Sequence, residues 1–155
     1  MNAKRNQLAY QEAAVRNAGI IELVIILYDI LARDLHAAIE AMEAGNIETR
    51  SARLKHAFLA IQQLEGTLNV DEGGALVVNL ARFYSMLRSE MMKAQVRRDP
   101  AVLNELIQLL FSVREAWVDL SSRVHSAATT TPNTISAASP DLVGQEARAT
   151  SSWKA

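Results

Sequence analysis

Apolar residues recur at three- and four-residue spacing through four long segments of the chain, a rhythm that fits a bundle of helices and little else. The clearest run is Leu103, Leu106, Leu110, Val113, Trp117, Leu120 and Val124, a seven-residue repeat that draws one stripe down a helix packed nearly antiparallel to its neighbours. Leu54, Ala57, Phe58, Ile61, Leu64 and Leu68 predict a helix from about 47 to 68. Leu76, Leu80, Phe83, Leu87, Met91 and Ala94 predict one from about 75 to 97. The first helix carries a stripe of Ile20, Val24, Leu27, Leu31 and Leu35.

Punctuation residues divide the segments. Asn17 or Gly19 is a plausible start for the first helix and Gly45 a plausible end, since glycine tolerates the left-handed closing conformation. Residues 69–74, which include Asn69, Asp71, Gly73 and Gly74, read as a loop. Asp99 followed by Pro100 is a sound helix start, because the donor that proline lacks would have no partner there; that fourth helix is expected to reach about Arg123. Beyond His125 the Ala, Ser, Thr and Pro composition cannot bury enough apolar area to offset the entropy of ordering. The expected fold is therefore all-α, an antiparallel up-down four-helix bundle over residues 19–124. A short N-terminal arm or helix, 1–18, precedes it, and a disordered tail, 125–155, follows.

Composition excludes several functions. Sixteen basic against seventeen acidic residues give a net charge of -1, which removes the usual electrostatic case for nucleic acid. With no cysteine, disulfides, thiolate zinc sites and thiol nucleophiles are excluded, and the cytoplasm is the expected compartment. No apolar run of the signal-peptide kind follows Lys4 and Arg5, and the most apolar stretch, 20–32, is interrupted by Glu22 and Asp29, so membrane insertion is not expected. A di-iron bundle site needs Glu three residues before His, but Arg33, Arg53 and Ser122 precede His36, His56 and His125 at that spacing. Nucleophile elbows and phosphate-binding glycine loops are absent as well. The chain is expected to be no enzyme and to hold no metal or cofactor. Glu22, Asp29 and Glu40 share a stripe with Arg33 and His36 that reads as a solvated face with weak ion pairs. The Arg97 and Arg98 pair at the end of the third helix complements the carbonyl dipoles there.

Apolar residues off the core stripes carry more information. Ile25 and Ile26 flank the polar line of the first helix, Met86 falls within the outward row Asn79, Arg82, Ser89 and Lys93, and Phe111 falls within Asn104, Gln108 and Glu115. Uncovered apolar strips mark places where something binds. Two readings stand: capture of another protein's amphipathic segment, or cover by the chain's own arm or a second copy, which would make it a helical interaction or dimerisation module.

Between about Tyr10 and Trp117 the chain resembles the flagellar secretion chaperones of the FliS type. The resemblance rests on Tyr10-Gln11, the run 23–27 followed by Tyr28-Asp29, Gly45-Asn46-Ile47, Asp71-Glu72-Gly73-Gly74, Asn79-Leu80 with Tyr84, the Ala94 region, Asp99-Pro100, and Arg114-Glu115-Ala116-Trp117. The chain departs from the family where a Ser-Pro pair usually opens the first helix; Gly19 and Ile20 stand there. The resemblance implies a cytoplasmic bundle without catalysis that binds the disordered C-terminal segment of flagellin, blocks premature polymerisation and delivers it to a component of the flagellar export gate. A co-chaperone is a further implied partner, and the protein itself would be a monomer or weak homodimer. Tyr10 would sit on an arm that lies over the binding surface until client displaces it. Tyr10, Ile25, Ile26, Tyr28, Met86 and Phe111 are the expected client contacts.

Overall fold

A computed structural model describes residues 2–69, 71 and 73–129. The chain divides into two units, residues 1–121 and 122–155. Four helices follow one another: α1 (Asn2–Glu43), α2 (Ile47–Gly66), α3 (Gly74–Arg97) and α4 (Pro100–Thr129). The described residues contain no strand, and the architecture is the expected all-α, up-down bundle.

The helix ends follow from local chemistry. Gly45 takes φ +70 after α1, so Asn46 N–H reaches back to the Ala41 carbonyl at 2.8 Å and Gly45 N–H to that of Met42 at 3.2 Å, satisfying carbonyls that would otherwise lack donors. Asn46 then caps α2 by accepting from the Thr49 amide at 3.1 Å. A link this short forces α1 and α2 to run antiparallel, and Asp34 meets His56 across them, each eleven residues from Gly45. The end of α3 has the same closing geometry, with Asp99 N–H donating to the Ala94 carbonyl at 3.1 Å, but the left-handed residue is Arg98 at φ 55. Asp99 also accepts from the Ala101 amide at 3.0 Å, so the start of α4 is capped as its Asp-Pro pair predicts.

Within the first unit the core is one apolar cluster. Leu27, Leu31 and Leu35 of α1, Leu54, Ile61 and Leu64 of α2, Leu87 and Met91 of α3, and Leu103, Ile107 and Leu110 of α4 meet there, all but excluded from solvent. Fully burying a side chain of this size contributes about 1.5–3 kcal/mol, so these residues dominate the stability of the bundle.

Four details differ from the sequence reading. First, α1 begins at Asn2 and not at Asn17 or Gly19; residues 2–18 are rich in Ala, Gln, Glu and Arg, which favour helix on their own, and without proline the backbone ladder passes through Gly19. Second, Ile20 is exposed and Ile21 is buried in its place, while Val24, Leu27, Leu31 and Leu35 of the expected stripe are buried. Third, Leu76 and Leu120, counted in core stripes, are exposed near the ends of their stripes. Fourth, α4 continues to Thr129, so residues 125–129 are helical and not part of a disordered tail. There Ser126 Oγ donates to the Ser122 carbonyl and Thr129 Oγ1 to that of His125, each at 2.9 Å. The rest of the expected tail, 130–155, lies outside the described residues.

Candidate functional site

Much of the pattern behind the family resemblance converges inside the bundle. The Tyr28 hydroxyl of α1 lies 3.3 Å from that of Tyr84 in α3, their rings edge to face with centroids 6.4 Å apart. Burial pushes the Tyr28 phenol up, opposed by its hydrogen bonds to Tyr84 and to Trp117 of α4. Burial, with the Tyr28 hydroxyl alongside, pushes Tyr84 up as well. Both stay protonated at neutral pH and act as hydrogen-bonding struts. The adjacent Asp29 takes a two-pronged bond from Arg114 of α4, Nε to Oδ1 at 2.5 Å and Nη2 to Oδ2 at 3.1 Å. That bond is the main reason the Arg114 guanidinium is held above its ordinary value. Tyr28, Asp29, Tyr84, Arg114 and Trp117 thus tie three helices together, and Asp29 does more than decorate a solvated face.

Asp34 is the buried charge among the described residues, its side chain 3% exposed. Its Oδ2 lies 2.5 Å from His56 Nδ1 and its Oδ1 3.6 Å from Arg53 Nη1, both on α2. Sequence reading missed it, because Asp34 adjoins core residue Leu35 in a stretch where every charge read as outward. A polar residue one step from a core position, opposite a His-Arg pair at matching distance from the Gly45 turn, was the available signal. Among the described residues no group of three or more His, Asp or Glu is placed to hold a metal ion.

The expected contact residues fall in different places. Tyr28 is 1% exposed and presents no surface to a partner; its aromatic ring is spent on the core, which corrects the expectation that it touches a client. Met86 is half-buried against the core, and Ile25 is half-buried on α1. Ile26 is 54% and Phe111 43% exposed. Ile26 stands one turn from Asp29 on α1, and Phe111 one turn from Arg114 on α4. In antiparallel helices these are opposite sides of the Asp29–Arg114 pair, roughly 10 Å apart along the axes. They flank one seam with an ion pair in its middle. Tyr10, 78% exposed, lies on the same helix as Ile26 but about 24 Å further along it. The six residues therefore do not form one site.

A second apolar strip went unread in the sequence. Between α2 and α3 runs a groove of about 230 Å³, lined by Phe58 and Leu59 with Lys55, Gln62, Arg88 and Gln95 around them. Exposed Met92 and Val96 lie on α3 near its Gln95 end. Arg88 is fixed across the two helices by Glu65, Nε to Oε1 at 3.0 Å and Nη2 to Oε2 at 2.7 Å; that hydrogen bond holds the Glu65 carboxyl below its ordinary range. Leu59 and Met92 adjoin core-facing Phe58 and Met91, so counting one stripe per helix hides them. The arrangement offers exposed apolar strips edged by fixed charges. No helix among the described residues is long and apolar enough to cross a membrane.

Comparison with known proteins accords with this architecture. The chain is 28% identical over 86 residues to the flagellar secretion chaperone FliS of Vibrio cholerae, covering 56% of this chain and 63% of that one. It is 27% identical over 113 residues to the flagellar secretion chaperone FliS of Salmonella typhimurium, covering 72% and 84%. The same chaperone of Bacillus subtilis is 28% identical over 109 residues, covering 70% and 80%. A family model described as flagellar protein FliS matches residues 1–124, which takes in α1, α2, α3 and all but the last turns of α4, and the chain belongs to the FliS family.

Proposed function

We propose that this protein is a cytoplasmic export chaperone. It binds the disordered C-terminal segment of flagellin, keeps it from polymerising and hands it to the flagellar export apparatus, and it catalyses no reaction. The observation that carries the reading is the distribution of exposed large apolar residues over all four helices of a FliS-family bundle, Ile26, Leu59, Met92 and Phe111 among them.

Magnitudes favour an extended client. Covering a side chain that is about half exposed gains roughly 1 kcal/mol, whereas micromolar binding requires about 8 kcal/mol after the losses of association and ordering. One strip of two or three anchors falls short. A segment that crosses both the Asp29–Arg114 seam and the α2–α3 groove engages enough of them. Ile25, Ile26 and Phe111 are the proposed contacts on the seam; Tyr10 and Met86 are proposed as outlying ones. Occupying the client's apolar faces suppresses its self-association, and folding on binding keeps the net affinity low enough for release.

Titration calorimetry with a peptide of the flagellin C-terminal segment tests this. Binding at micromolar concentration with a negative heat-capacity change is expected. A heat trace indistinguishable from dilution at tens of micromolar refutes it.

A further inference from the structure

The cations around the α2–α3 groove are not equivalent. Lys93 is bound to Glu90, and Arg88 is held through two nitrogens by Glu65. Lys55, which also lines the groove, is exposed and makes no ion pair among the described residues. Its own helix offers no partner within a turn, since Ser51, Ala52, Phe58 and Leu59 occupy the positions three and four residues away. The nearest carboxylate along α2 is that of Glu48, two turns off. This unspent charge adjoins apolar surface. Phe58 lines the groove, and Leu59, Met92 and Val96 are 50%, 56% and 82% exposed. Lys55 stands about 15 Å along α2 from Glu65, so one end of the strip is neutralised and the other is cationic.

We propose that the α2–α3 groove selects segments that carry a carboxylate about one helical turn from their apolar anchors, and that Lys55 is the residue that reads it. This rests on the groove being part of the client surface and adds what a client must carry there. Lys55 is one turn from Phe58 and Leu59, so a helical segment anchored on those residues brings the side chain three or four positions along over the ammonium. A lysine stem packs on apolar surface while its head stays in water, so covering the groove does not require burying the charge. A cation at the rim of an interface adds modest affinity but opposes a like charge strongly. Selection therefore comes from the segments Lys55 turns away as much as from those it holds.

Amide chemical-shift titration of the full chain with three amphipathic helical peptides tests the proposal. The peptides share one leucine stripe and carry Glu, Gln or Lys one turn along from it. Wild type is expected to bind the Glu peptide about tenfold tighter than the Lys peptide, with Gln between, and about 0.5 M salt should bring the three within about twofold. Lys55→Met removes the preference and Lys55→Glu reverses it, both with the wild-type urea midpoint because the position is exposed. Leu59→Ser weakens all three peptides together, which places them in the groove. Equal affinities in the wild type overturn the proposal, as does a preference that survives Lys55→Met or binding that ignores Leu59→Ser. Binding of none of the three overturns it too, and a concentration-dependent dimer in sedimentation then assigns the groove to a second copy of the chain. The flagellin peptide is titrated alongside. If it shifts no resonance while the Glu peptide binds with this preference, the flagellin reading fails and the selectivity of the groove stands.

Discussion

Removing the His56 side chain should destabilise the bundle more than its exposed position suggests. His56 is 58% exposed, but the atom it serves, Asp34 Oδ2, belongs to a side chain 3% exposed. His56→Ala leaves a buried carboxylate with Arg53 at 3.6 Å as its remaining cross-helix partner. Stranding a buried charge costs about 3–5 kcal/mol. The truncated ring opens a path for water and Arg53 still faces the carboxylate, so roughly half of that range, about 2 kcal/mol, is the expected loss. Asp34→Asn keeps the shape and removes the charge. The double variant Asp34→Asn/His56→Ala should therefore recover at least about 1 kcal/mol relative to the sum of the singles. Urea unfolding of the four proteins, followed by far-UV circular dichroism, measures the cycle. Additive singles, with His56→Ala within about 0.5 kcal/mol of wild type, would refute the reasoning, because the carboxylate would then be solvated without His56.

Arg98 holds a left-handed φ of 55 where Gly45 serves the equivalent turn; Arg98→Gly should raise stability by about 0.5–1 kcal/mol, read as a higher urea midpoint with an unchanged slope. Glu65, held by Arg88 below its ordinary value of 4.5, contributes stability that is present above that pH and lost as pH falls through the depressed value. Both side chains are 37% exposed, so the effect stays below about 1 kcal/mol, and acid titration of Glu65→Gln beside wild type should show a shallower fall beginning near pH 4.5. Ile26→Asp should weaken binding of the flagellin peptide at least about tenfold while changing the unfolding free energy by less than about 0.5 kcal/mol, since the side chain is half exposed already; the opposite pattern in calorimetry and urea unfolding would place Ile26 in the fold and not on a client.

How much of this was legible in the sequence depends on which physical signal each residue carries. Periodicity located α2, α3 and most of α4, because Leu54–Leu64, Leu87–Ala94 and Leu103–Leu110 each hold one phase through several turns. The Gly45-Asn46 and Asp99-Pro100 boundaries were legible because turn and cap chemistry is local. The start of α1 was not, since Asn17 and Gly19 resemble start signals and helix can pass through both when no proline follows. Ion pairs across helices were invisible to a reading one helix at a time: Asp29 with Arg114 and Asp34 with His56 depend on which faces meet. The exposed residues of the α2–α3 groove were hidden for a related reason, since Leu59 and Met92 become a strip only once two helices lie side by side.

The Tyr28–Tyr84 contact and its Asp29–Arg114 neighbour separate recognition from selection. Tyr28 and Tyr84 lie where a partner cannot reach them and the Asp29–Arg114 pair, about a third exposed, is tied into the bundle, while Leu59 and Met92, offered for contact, stand outside the positions by which the chain resembles its family. A lineage can therefore exchange its outer strips to suit a changed cargo without reopening the interior. Two bundles with the same motif can in that way differ in what they carry, and grafting the outer positions of one onto the other should transfer cargo preference and leave the scaffold's folding intact.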